Sequence, residues 1–145
     1  MKAAIFDMDG TLADVTSIRH HVLGSIKNFD AFHRASVDVP THQWVVDRAR
    51  ALHDDGIAIL IVTARNHMWR HHAVWWLALN DVPSDALWMR HDDDQRKDRL
   101  VKEDILKRIL ELGFEPIIAF DDNPTVIDLW VEHGIPVVNV PGWVY

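Results

Sequence analysis

Lys2-Ala3-Ala4-Ile5-Phe6-Asp7-Met8-Asp9-Gly10-Thr11-Leu12 is the stretch whose reading decides the fold. Ala3 to Phe6 is a short apolar run with no room for a helix before the Asp9-Gly10 break, so it predicts a buried strand. Two carboxylates one residue apart at the end of such a strand cost free energy unless a cation or a proton sits between them. Strand ends of this kind are where open α/β sheets place their ligands. The plainer alternative is an acidic, solvated Asp-Gly turn, and three later segments argue against it.

Downstream, Ala13 to Pro40 has no clean period and predicts a flap, with Asn28 to Ala35 as a short helix inside it. Trp44, Val45, Ala49 and Leu52 recur at helical spacing, with Thr41 as the expected N-cap and Gly56 as the stop. Ile57 to Val62 predicts a second buried strand, ending at Thr63-Ala64-Arg65. Asn66 is the expected cap of a helix that runs to about Asn80, with Trp69, Ala73, Trp76 and Leu77 on one face. Ala86 to Met89 predicts a third strand, followed by a polar loop from His91 to Asp98 and a helix from Leu100 to Leu112. Pro116 to Phe120 predicts a fourth strand, stopped by Asp121-Asp122-Asn123-Pro124. A helix over Thr125 to His133, a fifth strand over Pro136 to Val140 and a short tail complete the chain.

Strands alternating with helices, each strand an unbroken apolar run, mean a parallel sheet covered on both faces. The expected fold is therefore α/β: a Rossmann-like three-layer sandwich on a five-stranded parallel sheet, one domain over residues 1–145 with the 13–40 flap after the first motif. Right-handed crossovers put every strand's C-terminal end on one edge. Asp7, Asp9, Thr63, Asp121 and Asp122 all fall at those ends, so separate carboxylates and a hydroxyl converge on one rim.

Composition narrows the partners. The chain has 145 residues, 48% hydrophobic and 26% charged, which is ordinary for a globular domain with a real core. There is no cysteine, hence no disulfide and no thiolate metal site. No apolar stretch approaches membrane-spanning length, and the expected location is cytoplasmic. A formal net charge of -7 argues against a broad basic surface for duplex nucleic acid. Local basic clusters at Arg19-His20-His21, Arg65 to His72 and Arg90 to Arg99 can still focus positive potential on a cleft.

Carboxylates gathered at one point call for a hard cation, and Mg²⁺ is the natural choice with oxygen ligands. One carboxylate can act as nucleophile and its neighbour as general acid and base. A strand-end hydroxyl at Thr63 and an ammonium from Lys102 can hold an anionic group, so a phosphate ester is the most economical substrate.

Asp7-Met8-Asp9-Gly10-Thr11-Leu12, Ile61-Val62-Thr63, Lys102 and Asp121-Asp122, in this order and on these elements, resemble the motifs of the haloacid dehalogenase (HAD) superfamily of phosphatases. The resemblance implies that Asp7 is the nucleophile that becomes phosphoaspartate. Asp9 would protonate the leaving alcohol and then activate water. Thr63 and Lys102 would bind the phosphoryl group. Asp121 and Asp122 would hold Mg²⁺ with Asp7 and the backbone carbonyl of Asp9, either of the pair being the direct ligand.

Within the superfamily the chain is most similar to the 3′-phosphatase domain of phage-type polynucleotide kinase/phosphatase. Ala13 and Arg65 follow the first two motifs, and Asp94-Gln95-Arg96-Lys97-Asp98 precedes Val101-Lys102-Glu103. Asp121-Asp122 leads into Val126 to Trp130 and then His133-Gly134-Ile135. By that likeness Arg65 and Arg96 would face substrate, with Gly10, Thr11 and Ala64 lining its site. The chain has no G-x-x-x-x-G-K-[ST], so a kinase half would have to be supplied separately. Nor is there room for a large cap domain, and an open rim suits a phosphorylated nucleic acid end. A nucleotidase or another small-phosphoester hydrolase is the alternative, and a non-catalytic phosphate-binding module a further one.

Other features read more simply. Asp14, Arg19, Asp30, His33 and Asp38 in the flap could shape a substrate groove, but read more simply as loop polarity. His67 and His71 stand i,i+4, a spacing that suits zinc, without the acidic partner of H-E-x-x-H. Trp69, Trp75, Trp76 and Trp88 could stack on bases, but their spacing favours burial against the sheet.

Overall fold

The computed structural model describes residues 1–144. Its sheet has five parallel strands: β1 (Lys2–Phe6), β2 (Ala58–Asn66), β3 (Ala86–Arg90), β4 (Glu115–Asp121) and β5 (Val137–Asn139). Their order is β3-β2-β1-β4-β5, so the first strand lies at the centre, between the two strands that carry the later motifs. The helices are α1 (Phe29–Ala35), α2 (Gln43–Asp54), α3 (Arg70–Leu79), α4 (Asp98–Glu111) and α5 (Pro124–Glu132).

The alternation of strand side chains sorts the core into two layers. Ala4 and Phe6 of β1, Ile59 and Ile61 of β2, and Phe120 of β4 pack under α2 and α3, against Val45, Val46, Ala49, Ala73, Trp76 and Leu77. Ala3 and Ile5, Ala58, Leu60 and Val62, and Ala119 face the other way, onto Val101, Ile105, Leu106 and Ile109 of α4 and Val126, Leu129 and Trp130 of α5. The Phe6 and Phe120 rings stack with centroids 4.4 Å apart. Each fully buried ring contributes roughly 2–3 kcal/mol from burial alone. Both rings sit one residue before a rim aspartate, so the core fixes where the carboxylates emerge.

The flap is more ordered than its lack of period suggests. Asn28 caps α1 by accepting from the Ala31 amide, and Val15, Ile18, Phe32 and Val39 are buried in the α2/α3 layer. The Trp76 indole Nε1 donates to the Val39 carbonyl at 2.8 Å, pinning the flap's end to α3.

Two expected caps are corrected. Thr41 lies in an isolated bridge with Ala13, and His42 occupies the N-cap of α2, with no capping bond from its side chain. The Thr41 hydroxyl instead donates to Gln43 Oε1 at 3.0 Å. Asn66 does not cap α3, because β2 runs on through Thr63, Ala64 and Arg65 and pairs Asn66 with Arg90. A single 3-10 turn, His67–Trp69, precedes α3.

Candidate active site

The site is built where β1, β2 and β4 end side by side. The Asp7 amide donates to the Phe120 carbonyl at 3.0 Å, so the carboxylate is held in line with the sheet. The chain then turns sharply: the Thr11 and Ala13 amides donate to the Met8 carbonyl, at 3.2 and 2.9 Å. Gly10 has φ +84°, a conformation that suits glycine. A Cβ there would lie 2.1 Å from Asp122 Oδ2, so this glycine also makes room for a neighbouring carboxylate.

Asp7 is at the centre of the bonding. Its Oδ1 accepts from Lys102 Nζ at 2.8 Å and its Oδ2 from the Thr11 hydroxyl at 3.0 Å. Lys102, buried on α4, also donates to Asp121 Oδ2 at 3.1 Å. Asp121 is further engaged by the Asn123 amide (3.0 Å, on Oδ1) and by Trp130 Nε1 (3.4 Å, on Oδ2). Asp122 has only a long contact from the Thr11 hydroxyl, 3.4 Å to Oδ1. Oxygens of Asp7, Asp121 and Asp122 come within 4.8 Å of one another.

Electrostatics follow from this crowding. Burial, then the neighbouring Asp121 charge, raises the Asp7 carboxyl well above its ordinary value, while Lys102 pulls the other way. Burial and Asp121 likewise push Asp122 up to about 6. For Lys102 burial opposes the charged form, but Asp121 and Asp7 outweigh it and hold the ammonium protonated. Three carboxylates against one ammonium leave an excess of negative charge in a buried place, which suits a hard divalent cation. The oxygen-only donor set fits such an ion, and the missing side chain at Gly10 lets the Asp122 carboxylate come close enough to join it. Asp7, Asp121 and Asp122 could hold it; the Asp9 side chain is turned elsewhere.

Asp9 faces Arg65. Arg65 Nε and Nη2 donate to the two Asp9 oxygens at 2.9 and 2.6 Å, a bidentate pair in which the guanidinium is fully buried. Burial alone would raise the Asp9 carboxyl, but the charge and hydrogen bonds of Arg65 win and lower it. Thr63 is buried within β2, three residues before the strand ends, its hydroxyl accepting from the Arg65 amide at 3.2 Å.

The expected rim residues Asp7, Asp9, Thr63, Lys102, Asp121 and Asp122 are thus brought together, with Gly10 and Thr11 in the turn between them. Ala64 offers its carbonyl to Arg90 Nε at 2.9 Å. Arg65 grips Asp9 rather than reaching outward, and Arg96 is an exposed side chain engaged by Asp94 and Asp104 at 2.8 and 2.7 Å. Trp69 and Trp76 are buried, whereas Trp75 is exposed. Among the described residues the three aspartates form the one group of three or more metal-ligand side chains, so His67 and His71 gain no third ligand.

Two residues escaped the sequence reading. His33, read as loop polarity, is buried on α1 with its ring 5.7 Å from that of Trp69, and burial holds its imidazole down at about 4. Arg90 is buried at the end of β3. Its signal was available: a charged residue closing an apolar strand, like Asp7.

The family described as the polynucleotide kinase PNKP phosphatase domain matches residues 1–142. The chain belongs to that family. It is a HAD-type phosphatase domain, a phosphoric monoester hydrolase by class. An inferred bifunctional polynucleotide kinase/RNA ligase of Autographa californica nuclear polyhedrosis virus is 30% identical over 141 residues, covering 94% of this chain and 19% of the viral protein. A chain of the Pnkp1/Rnl/Hen1 RNA repair complex superposes with a TM-score of 0.83 at 22% identity, over 96% of this chain and 42% of that one. The class C acid phosphatase of Bacillus anthracis, solved with tungstate, has the same fold at a TM-score of 0.71 and 12% identity, over 99% and 68%. The PNKP-type domain therefore spans about a fifth of its viral relative and under half of the repair-complex chain. Among the described residues no helix is long and apolar enough to cross a membrane.

Proposed function

We propose that this chain is a Mg²⁺-dependent polynucleotide 3′-phosphatase that works through a phosphoaspartate on Asp7. The observation that carries the reading is the Asp7 carboxylate itself: it ends the central strand and is bonded by Lys102 and Thr11 beside two further aspartates. The family match over residues 1–142 supports a phosphate monoester as substrate, and the likeness to a viral polynucleotide kinase/RNA ligase supports a nucleic acid end. The separately supplied kinase half belongs to the same reading.

In the first half-reaction an Asp7 oxygen attacks phosphorus, the bond to the leaving oxygen breaks, and Asp9 gives that oxygen a proton. Thr63 and Lys102 bind the phosphoryl oxygens and offset charge that develops on them. In the second, Asp9 takes a proton from water, which attacks phosphorus and frees Asp7 and inorganic phosphate. Arg65 holds Asp9 as an oriented carboxylate, the form this second half needs. An incoming phosphate competes for the guanidinium and loosens that hold, so Asp9 can carry the proton the first half needs. When bound, a divalent cation neutralises the phosphate and the carboxylates around it. Asp122, just past the end of β4 and with the least engaged oxygens, would be a direct ligand of such an ion, while Asp121 orients Lys102.

The test compares phosphate release from matched 3′- and 5′-phosphorylated oligonucleotides and from 3′- and 5′-mononucleotides, with Mg²⁺ and with chelator. Metal-dependent release from the 3′-oligonucleotide above the others is expected, abolished by Asp7→Asn. Preference for mononucleotides would make the chain a nucleotidase, and binding without release would make it a recognition module.

A further inference from the structure

Arg90 is a buried cation whose hydrogen bonds all go to the protein. Nε donates to the Ala64 carbonyl at 2.9 Å, between Thr63 and Arg65. Nη1 donates to the carbonyls of Asp94 (3.0 Å) and Arg96 in the loop before α4. Nη2 donates to the Asp98 carboxylate at 2.7 Å, and Asp98 opens α4 one turn before Lys102. The guanidinium therefore joins the two pieces of chain that bring Thr63 and Lys102 to the rim. Three carbonyls and a carboxylate take four of its five N–H groups, so no two-pronged fork is left for a phosphate. The same loop is tied back to β2's end a second time, Asp92 accepting from the Met68 amide at 2.8 Å.

We propose that Arg90 is a positioning residue for the phosphatase site, holding the Thr63–Arg65 segment and the Lys102 helix in fixed register. The inference rests on the roles given above to Thr63 and Lys102. A lysine cannot replace it, because a single ammonium on a flexible stem does not span acceptors on three segments. Displacements on the order of 1 Å at groups that position substrate cost about 100-fold in rate, so the brace is set where small errors are expensive.

Arg50 provides a matched control. It also donates to backbone carbonyls, those of Asp81 (3.1 Å) and Asn80 (2.8 Å), but at the C-terminal end of α3, on the sheet edge away from the rim. Arg90→Lys, Arg90→Met, Asp98→Asn and Arg50→Met are made in the full chain. Melting, amide hydrogen exchange and Mg²⁺-dependent phosphate release from p-nitrophenyl phosphate are measured for each. The expected result is faster exchange in both the 63–66 and 98–103 segments of the Arg90 variants, with phosphate release down roughly 10- to 100-fold. Arg50→Met is expected to lose melting temperature without either effect. A folded Arg90 variant with wild-type release, or with unchanged protection in both segments, overturns the brace. If neither Arg90 variant folds, Asp98→Asn decides by the same two readouts. A wild-type chain that releases no phosphate would sink the phosphatase roles, while hydrogen exchange would still decide whether Arg90 couples the two segments.

Discussion

Replacing Gly10 with alanine tests the site at its tightest point. The added methyl would sit 2.1 Å from Asp122 Oδ2 and 2.8 Å from Asp122 Cγ, in a turn whose φ is +84°. The left-handed conformation alone costs an alanine about 1–2 kcal/mol. The overlap adds more, since Asp122 is short and buried and its displacement takes one carboxylate out of the group of three. Losing the orientation of one ligand of a metal site lowers apparent affinity on the order of 10- to 100-fold. A destabilisation of about 1–2 kcal/mol corresponds to a melting shift of roughly 3–6 °C for a chain of this size. The assay is phosphate release titrated with Mg²⁺, alongside thermal melting with and without the metal. The expected pattern is a lower melting temperature, a right-shifted Mg²⁺ curve and a smaller stabilisation by the ion. Wild-type metal dependence in a folded Gly10→Ala protein would refute the reasoning, because it would mean Asp122 neither moves nor matters.

Arg65→Met leaves the Asp9 carboxylate without its bidentate partner; breaking such a buried pair costs about 3–5 kcal/mol, read by urea unfolding, and the Asp9 carboxyl, freed to follow burial, should titrate higher by carbonyl NMR. His33 refuses a proton until about pH 4 in the folded chain but accepts one near 6.5 when unfolded, so stability should fall as pH drops from 6.5 to 4, by about 3 kcal/mol from this group, and level off below. His33→Phe should flatten that part of the stability-pH profile, and an unchanged slope would count against a buried neutral imidazole. Phe120→Ala removes one ring of the stack behind Asp7 and Asp121 and should cost about 3–5 kcal/mol in chemical denaturation; a loss under 1 kcal/mol would show that the strand ends are not held from below.

The strands were legible because parallel strands buried on both faces leave unbroken apolar runs, and Ala3–Phe6 and Ile57–Val62 are such runs. The rim aspartates were legible for the complementary reason: charge directly after such a run has to be accounted for. Pairing was not. Which groups an arginine near the rim engages depends on three-dimensional neighbours, so the expectation that Arg65 faces substrate does not foresee its grip on Asp9. Arg96 likewise turned to Asp94 and Asp104. His33 was missed because a histidine in an aperiodic segment carries no signal of burial; its neighbour Trp69 lies on a different element, far along the chain.

The sheet order has a consequence for how the chain comes together. β1, the first strand in sequence, has β2 on one side and β4 on the other, so Phe6 pairs with both Ile61 and Phe120. During synthesis the motif bearing Asp7 exists as chain long before either neighbour does, and its second edge waits until residues near 120 have left the ribosome. Contacts this distant in sequence close slowly, and an unpaired apolar strand is exposed to aggregation in the meantime. The aspartate cluster is therefore among the last parts of this domain to assemble, and a nascent chain that stalls before β4 has Asp7 but not the carboxylates that surround it.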